Sequence, residues 1–206
     1  MSNLSMQHIF KKGSDPAAPV LVLLHGTGGN EHDLLPLAEM LSPESSVLGI
    51  RGNVLENEMP RFFRRLAEGV FDEEDLVART KELNDFLDEA AAEYGLQRDR
   101  MIAVGYSNGA NIAASLLFHY EHTLWGAVLL HPMVPLRGKQ LPDQSGVPIF
   151  IGAGKNDPIC AASETEELQS LLTETGAEVQ VYWDNKGHQL SKKEMYAASD
   201  WLDNRF

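Results

Sequence analysis

Apolar runs of strand length recur along the chain, and the segments between them repeat apolar residues at helical spacing. The runs fall at 20–24, 47–50, 101–105, 126–130, 147–153 and 179–183. Each is nearly continuous in Val, Ile, Leu or Ala rather than alternating with polar residues, which suits strands covered on both faces, as in a parallel sheet. Between 72 and 94, Leu76, Thr80, Leu83, Phe86, Leu87, Ala90 and Tyr94 repeat at three and four, with Glu73, Lys81, Glu82, Asp88 and Glu89 on other faces. Ser163 with Glu166 and Ser191 with Glu194 carry the capping-box pattern of helix starts, and Gly176 reads as a helix stop before the next strand. Such alternation predicts a three-layer α/β sandwich, a mostly parallel doubly wound sheet with right-handed crossovers, in a single domain over 1–206.

A chain of 206 residues can bury a core without disulfides or a structural metal, and its lone Cys160 can form neither an intramolecular bridge nor a cysteine-based zinc site. That cysteine usage fits a reducing compartment, and residues 1–10 lack the charged start and long apolar stretch of a secretory signal, so the expected location is cytoplasmic. The formal charge of -13 opposes binding to nucleic acid or to an anionic membrane surface. No apolar run approaches the roughly 20 residues of a membrane span.

Two stretches break the alternation. Residues 52–70 are long for a connection and carry Arg61, Phe62, Phe63, Arg64 and Arg65, a basic and aromatic cluster in an acidic chain. Residues 131–146, with Pro132, Pro135 and Pro142, read as an ordered excursion over the strand ends.

The chemistry is expected at Gly105-Tyr106-Ser107-Asn108-Gly109, which matches the G-x-S-x-G nucleophile elbow. It follows the apolar run at 101–104 and opens a packed helical segment at 108–120, an order that forces the serine into a strained turn above the sheet. A serine hydroxyl needs a base that a carboxylate orients, and on an α/β-hydrolase fold these follow in the order Ser, acid, His. His188, in the turn after the last strand, is the histidine in that order. Asp157, in Gly154-Lys155-Asn156-Asp157, is the acid, and Asp184 is its competitor. The oxyanion donors are expected at Asn108, after the nucleophile, and at Thr27, in the glycine-rich loop His25-Gly26-Thr27-Gly28-Gly29 after the first inner strand. His25 is read as pinning that loop, and Cys160 as a small buried hydrophobe. No H-e-x-x-H pattern or cysteine cluster offers metal ligands, and neither cofactor nor metal is expected.

These segments together resemble the small carboxylesterase, phospholipase and acyl-protein thioesterase family of serine hydrolases, from about Val20 to the last helix. Arg51-Gly52, the cluster at 61–65 and Gly69-Val70-Phe71-Asp72 resemble a bacterial subgroup that includes hydrolases associated with methylhydroquinone resistance. The resemblance implies Ser107, Asp157 and His188 as a triad and Thr27 and Asn108 as oxyanion donors, the positions already reached from the residues. Eukaryotic thioesterase-like members commonly have Leu and Gln at those two donor positions, which argues against a protein-thioesterase role. Similarity to dienelactone hydrolases is weaker, because their nucleophile is cysteine.

The expected activity is hydrolysis of small to medium carboxylic esters through an acyl-enzyme, in a shallow site without a large cap domain. Lysophospholipid, thioester and dienelactone-type substrates are the alternatives, and a catalytically silent binding protein is the alternative outside catalysis. Arg51, Arg61, Phe62, Phe63 and His131 are the expected substrate contacts, with one of Arg61, Arg64 or Arg65 facing a substrate carboxylate. The expected partner is a small-molecule ester, with a homodimer left open.

Overall fold

A computed structural model of the protein describes residues 4–206. The apolar runs become the strands of one seven-stranded sheet, joined by a short antiparallel strand. In chain order the elements are β1 (His8–Lys11), β2 (Val20–Leu24), α1 (Leu35–Leu41), β3 (Ser46–Ile50), β4 (Val54–Glu56), β5 (Met59–Arg61), β6 (Arg65–Ala67), β7 (Val70–Phe71) and α2 (Glu73–Tyr94). After a 3-10 turn at Arg98–Arg100 come β8 (Met101–Tyr106), α3 (Asn108–His119), β9 (Gly126–Leu130), β10 (Pro148–Gly154), α4 (Ala162–Glu174), β11 (Glu178–Asp184) and α5 (Lys192–Asp203).

The strand order is β1-β3-β2-β8-β9-β10-β11, with every neighbouring pair parallel except β1 and β3. The chain first moves outward from β2 to β3 and then restarts on the other side of β2 with β8. The switch point therefore lies between β2 and β8, and ligand chemistry in open α/β sheets sits outside the carboxyl ends of the strands at such a point.

Strand alternation splits the core between the two faces. Val22 and Leu24 of β2 pack with Leu83 and Phe86 of α2, Ile112 and Leu116 of α3, and Leu168 and Leu172 of α4. Leu21 and Leu23 face the other way, with Leu37 and Leu41 of α1 and Trp201 and Leu202 of α5. Ser191 and Glu194 form the capping box at the start of α5. The expected box at Ser163 and Glu166 is absent: α4 starts at Ala162 after Ala161, with no side-chain cap, which places Ser163 inside the first turn.

Residues 52–70 form two antiparallel hairpins, β4 with β5 and β6 with β7. The first turns through Asn57 and Glu58, both at positive φ (49° and 66°), the conformation of a two-residue hairpin turn. Residues 131–146 contain no helix or strand but are held in place: buried Gln144 donates through Nε2 to the carbonyls of Leu117 and Tyr120, each at 2.8 Å.

Gly109 sits where α3 crosses β2, and a Cβ there would run into the backbone carbonyl of Leu24. Backbone cannot yield as a flexible side chain can. Gly109→Ala is therefore expected to lower the unfolding free energy by about 3 kcal/mol. Urea titration checks this; an unchanged midpoint would mean that α3 lifts from β2 at no cost.

Candidate active site

Ser107 stands between β8 and α3 with φ 52° and ψ -113°, a positive-φ conformation rarely adopted by a residue with a side chain. Its N–H donates to the Leu130 carbonyl at 2.8 Å, and the flanking glycines allow the turn: a Cβ on Gly105 would lie 2.5 Å from the Gly109 carbonyl oxygen. His188 Nε2 is 2.8 Å from Ser107 Oγ, and His188 Nδ1 is 2.7 Å from Asp157 Oδ2. The carboxylate can only accept, so Nδ1–H donates to it and Nε2 is left to accept from the serine hydroxyl. Asp157 Oδ1 accepts from the N–H groups of Ile159 (2.8 Å) and Cys160 (2.9 Å).

The loops carrying Asp157 and His188 are joined by backbone contact. Gly187 N–H donates to Asn156 Oδ1 at 2.9 Å, and a Cβ on Gly154 would meet the Gly187 carbonyl. Tyr106 OH donates to the His188 carbonyl at 2.6 Å, tying this loop to the strand that ends at Ser107. Asp184, the competitor for the acid, instead accepts from the Ser191 hydroxyl.

Thr27 and Asn108 line the same narrow cleft as Ser107 and His188, and the N–H of neither donates to a backbone acceptor among the described residues. Gly28 N–H, by contrast, donates to the Pro60 carbonyl at 2.9 Å and holds the Thr27 loop against β5. His25 Nδ1–H donates to the Gly26 carbonyl at 2.6 Å, and Nε2 accepts from Gly52 N–H at 3.1 Å. Burial pushes the His25 imidazole below its ordinary pKa, which keeps that acceptor available.

With this geometry in view, the comparisons with known proteins are specific. The phospholipase/carboxylesterase family model matches residues 6–205. The chain belongs to that family. It is similar to MhqD of Bacillus subtilis (strain 168), 61% identical over 95% of this chain and 97% of that one. The crystal structure of a Bacillus cereus carboxylesterase superposes with a TM-score of 0.98 at 64% identity, covering 99% of this chain and 96% of that one. A structure of YahD with malic acid follows at TM-score 0.93 and 31% identity, covering 98% and 100%. The protein thus has an α/β-hydrolase fold without a large cap and is a carboxylic ester hydrolase.

The expected substrate contacts divide between residues that line the cleft and residues that do not. Arg61 lines it, donating through Nη1 to Thr27 Oγ1 (2.5 Å) and through Nε to the Phe63 carbonyl (3.1 Å), and Arg65 lines it beside Glu68. Burial and the neighbouring Arg65 charge pull the Arg61 guanidinium down to about 10, still cationic at neutral pH. Arg51 does not line the cleft; it grips buried Glu31 in a two-point ion pair at 2.5 and 3.1 Å. Phe62 and Phe63 are core residues, because the chain turns there outside any strand and both rings point inward. Arg64 is exposed and pairs with Asp72 at 2.8 Å. His131 borders the cleft, but its imidazole has no solvent exposure and is taken up by carboxylates, so it is no surface for substrate.

Asn111, Phe71, Met133 and Ile159 also line the cleft and were missed. Asn111, four residues after Ser107, was legible: one turn along α3 from that serine brings a side chain back to the same face. His131, Asp157 and His188 have the spacing of a metal-ligand set, but their facing atoms are already in mutual hydrogen bonds at 2.7 and 3.0 Å. Cys160 is buried, its thiol donates to the Pro132 carbonyl at 2.7 Å, and burial pushes it up to about 12.

Burial opposes the charge on Asp157, but the N–H groups of Cys160 and Ile159 and the two imidazoles outweigh it and hold its carboxyl below the ordinary 3.8. With the folded value depressed, the stabilisation is present above the unfolded value and lost as pH falls through the folded one. Asp157→Asn is expected to cost about 2 kcal/mol at neutral pH, a gap that closes as the pH falls below about 4. Melting temperatures of both proteins across pH measure it; a gap constant through that range would show that this carboxylate does not titrate with unfolding.

Proposed function

We propose that the protein is a serine carboxylesterase, acting as one domain, in which Ser107 is the nucleophile, His188 the base and Asp157 the orienting acid. The observation that carries this reading is the unbroken relay of 2.8 and 2.7 Å from Ser107 Oγ through His188 to Asp157. Ser107 Oγ attacks the ester carbonyl while His188 Nε2 takes its proton, and the tetrahedral oxyanion accepts from the N–H groups of Asn108 and Thr27. His188 then returns the proton to the leaving alcohol. Water, deprotonated by the same imidazole, releases the acid from the acyl-enzyme.

The cleft volume is about 40 Å3, which suits a short acyl group, with the alcohol portion directed to solvent. Arg65 donates to Glu56 at 3.0 Å, and that carboxylate also faces Arg61 at 3.2 Å. Two guanidiniums thus share one carboxylate, leaving positive charge beside the nucleophile in a chain of net charge -13. Glu68 on the rim is exposed, where solvent screens it. A substrate bearing its own carboxylate fits this wall, and the malic acid in the YahD structure is a molecule of that chemistry.

Fluorophosphonate should label the parent and not Ser107→Ala, whose kcat/KM for p-nitrophenyl acetate is expected to fall by about 10^4 or more. Equal labelling of the two would remove Ser107 as the nucleophile. For the arginine wall, the kcat/KM ratio of a carboxylated ester to its neutral analogue is expected to fall about tenfold in Arg65→Ala. An unchanged ratio would end the carboxylate reading without touching the triad.

A further inference from the structure

The polar chain at the sheet edge continues beyond Asp157. His131 follows β9 with φ 54°, its N–H donating to the Gly152 carbonyl at 2.7 Å. Its Nδ1 lies 3.0 Å from Asp157 Oδ2, the same oxygen that receives His188. Across the ring, Nε2 stands 3.3 Å from both oxygens of Glu194 and hydrogen-bonds to Oε2. None of these three side chains is exposed to solvent. Glu194 Oε1 has no hydrogen-bond partner among the described residues, and it packs where a Cβ on residue 152 would stand.

A neutral imidazole carries one N–H. Asp157 takes the one at Nδ1, so a neutral His131 would aim the lone pair of Nε2 at a buried carboxylate, leaving two acceptors face to face. A proton on Nε2 turns His131 into a donor on both sides and gives the solitary Glu194 oxygen a counter-charge. We propose that His131, kept doubly protonated by Glu194, is a positioning residue for Asp157: it fixes Oδ2 and offsets part of the negative field reaching His188, so that the base stays unprotonated in more acidic solution. This rests on the triad reading above.

The geometry sets the sign. The rings of His131 and His188 lie 5.2 Å apart, centroid to centroid, and Glu194 is bound on the edge of His131 away from Asp157. His188 therefore meets the positive end of the pair first. Of the other titratable groups, Tyr106 of β8 packs with its ring 6.1 Å from that of His131, and Cys160 ahead of α4 donates its thiol to the neighbouring Pro132 carbonyl. Arg61, Arg65 and Glu68 line the cleft that His188 also lines, with the same charges in the parent and in the variants tested below. Burial raises Tyr106 and Cys160, the latter to about 12, so both stay neutral, and the charges that change between the parent and the variants are those of His131 and Glu194. His131 itself is raised: burial alone would lower it, and the Glu194 and Asp157 contacts outweigh that.

The test is the pH profile of kcat/KM on p-nitrophenyl acetate for the parent, Glu194→Gln and His131→Asn, with Ser107→Ala as the inactive reference. Asn tolerates the positive φ and keeps a donor toward Asp157 while removing the charge. In both variants the acid limb should move up by about half a pH unit or more, with KM within about twofold of the parent and the loss concentrated in kcat on the acid side. A loss of the same factor at every pH, or no loss, would overturn the proposal and leave the triad intact; turnover by Ser107→Ala would overturn both. Should the variants not fold, the imidazole 1H–15N spectrum of the native protein decides. At pH 8 one histidine should carry protons on both nitrogens, and a spectrum with all neutral would overturn the proposal.

Discussion

The backbone of Ser107 is the constraint on which the rest of the site depends. A non-glycine residue held in such a conformation costs of order 1–3 kcal/mol and persists only where the surroundings over-determine it. Here they do so through the sheet and the helix together. Ser107 N–H is bound to the end of β9, its carbonyl accepts from Asn111 in the first turn of α3, and Gly109 rests on the last carbonyl of β2. Every residue of α3 from Asn108 to Phe118 is buried, so the helix cannot shift to relax the turn. The proposed nucleophile is thereby held by the central strands and the buried helix, at the point where the strand order reverses.

His188 and Asp157, the proposed base and acid, have no such central support, since they lie after β11, the last strand of the sheet, and its neighbour β10. Their alignment comes from stitching between loops: Tyr106 OH to the His188 carbonyl, Gly187 N–H to Asn156, and Lys155 N–H to the Asp184 carbonyl at 2.8 Å. Each stitch ties an edge loop either to the other edge loop or to β8. Asp157 completes the arrangement by accepting four hydrogen bonds, two at each oxygen, which leaves its carboxylate no free rotation.

What the residues disclosed in advance follows from how local the signal was. The inner strands β2, β8 and β9 were legible because both faces are buried and the runs are unbroken. The elbow, the glycine-rich loop and the strand-end turns carrying Asp157 and His188 were legible because each follows such a run directly. β1 was missed because it is a short edge strand with three residues partly covered and the fourth exposed. The hairpins at 54–71 were missed because the first turn uses Asn57-Glu58, without the glycine that usually marks positive φ. Arg51 and His131 were read without the carboxylates that hold them for one shared reason, that those partners are distant in sequence. Glu31 lies 20 residues before Arg51, and Glu194 lies 63 residues after His131. Only the folded sheet brings those charges together.

The missed hairpin also explains how a fold without a cap keeps its oxyanion region rigid. Arg61, at the end of β5, donates to the side chain of Thr27, and the next residue donates through its backbone, Phe62 N–H to Asn108 Oδ1 at 2.7 Å. Two adjacent residues therefore brace both proposed oxyanion donors, one on the β2 loop and one at the start of α3. The burial of Phe62 and Phe63 gives this brace its anchor: their rings sit in the core, and Phe63 meets Phe71 edge to face at 5.0 Å, which fixes the second hairpin to the first. The aromatic pair thus bears on the cleft through the backbone it immobilises, not through its rings. Arg61 also sets the local charge, because the guanidinium that holds Thr27 lines the cleft. In the proposed mechanism, recognition of an anionic group and alignment of the oxyanion donors are therefore coupled through Arg61, whereas Arg65, which pairs with Glu56 and not with Thr27, adds charge alone.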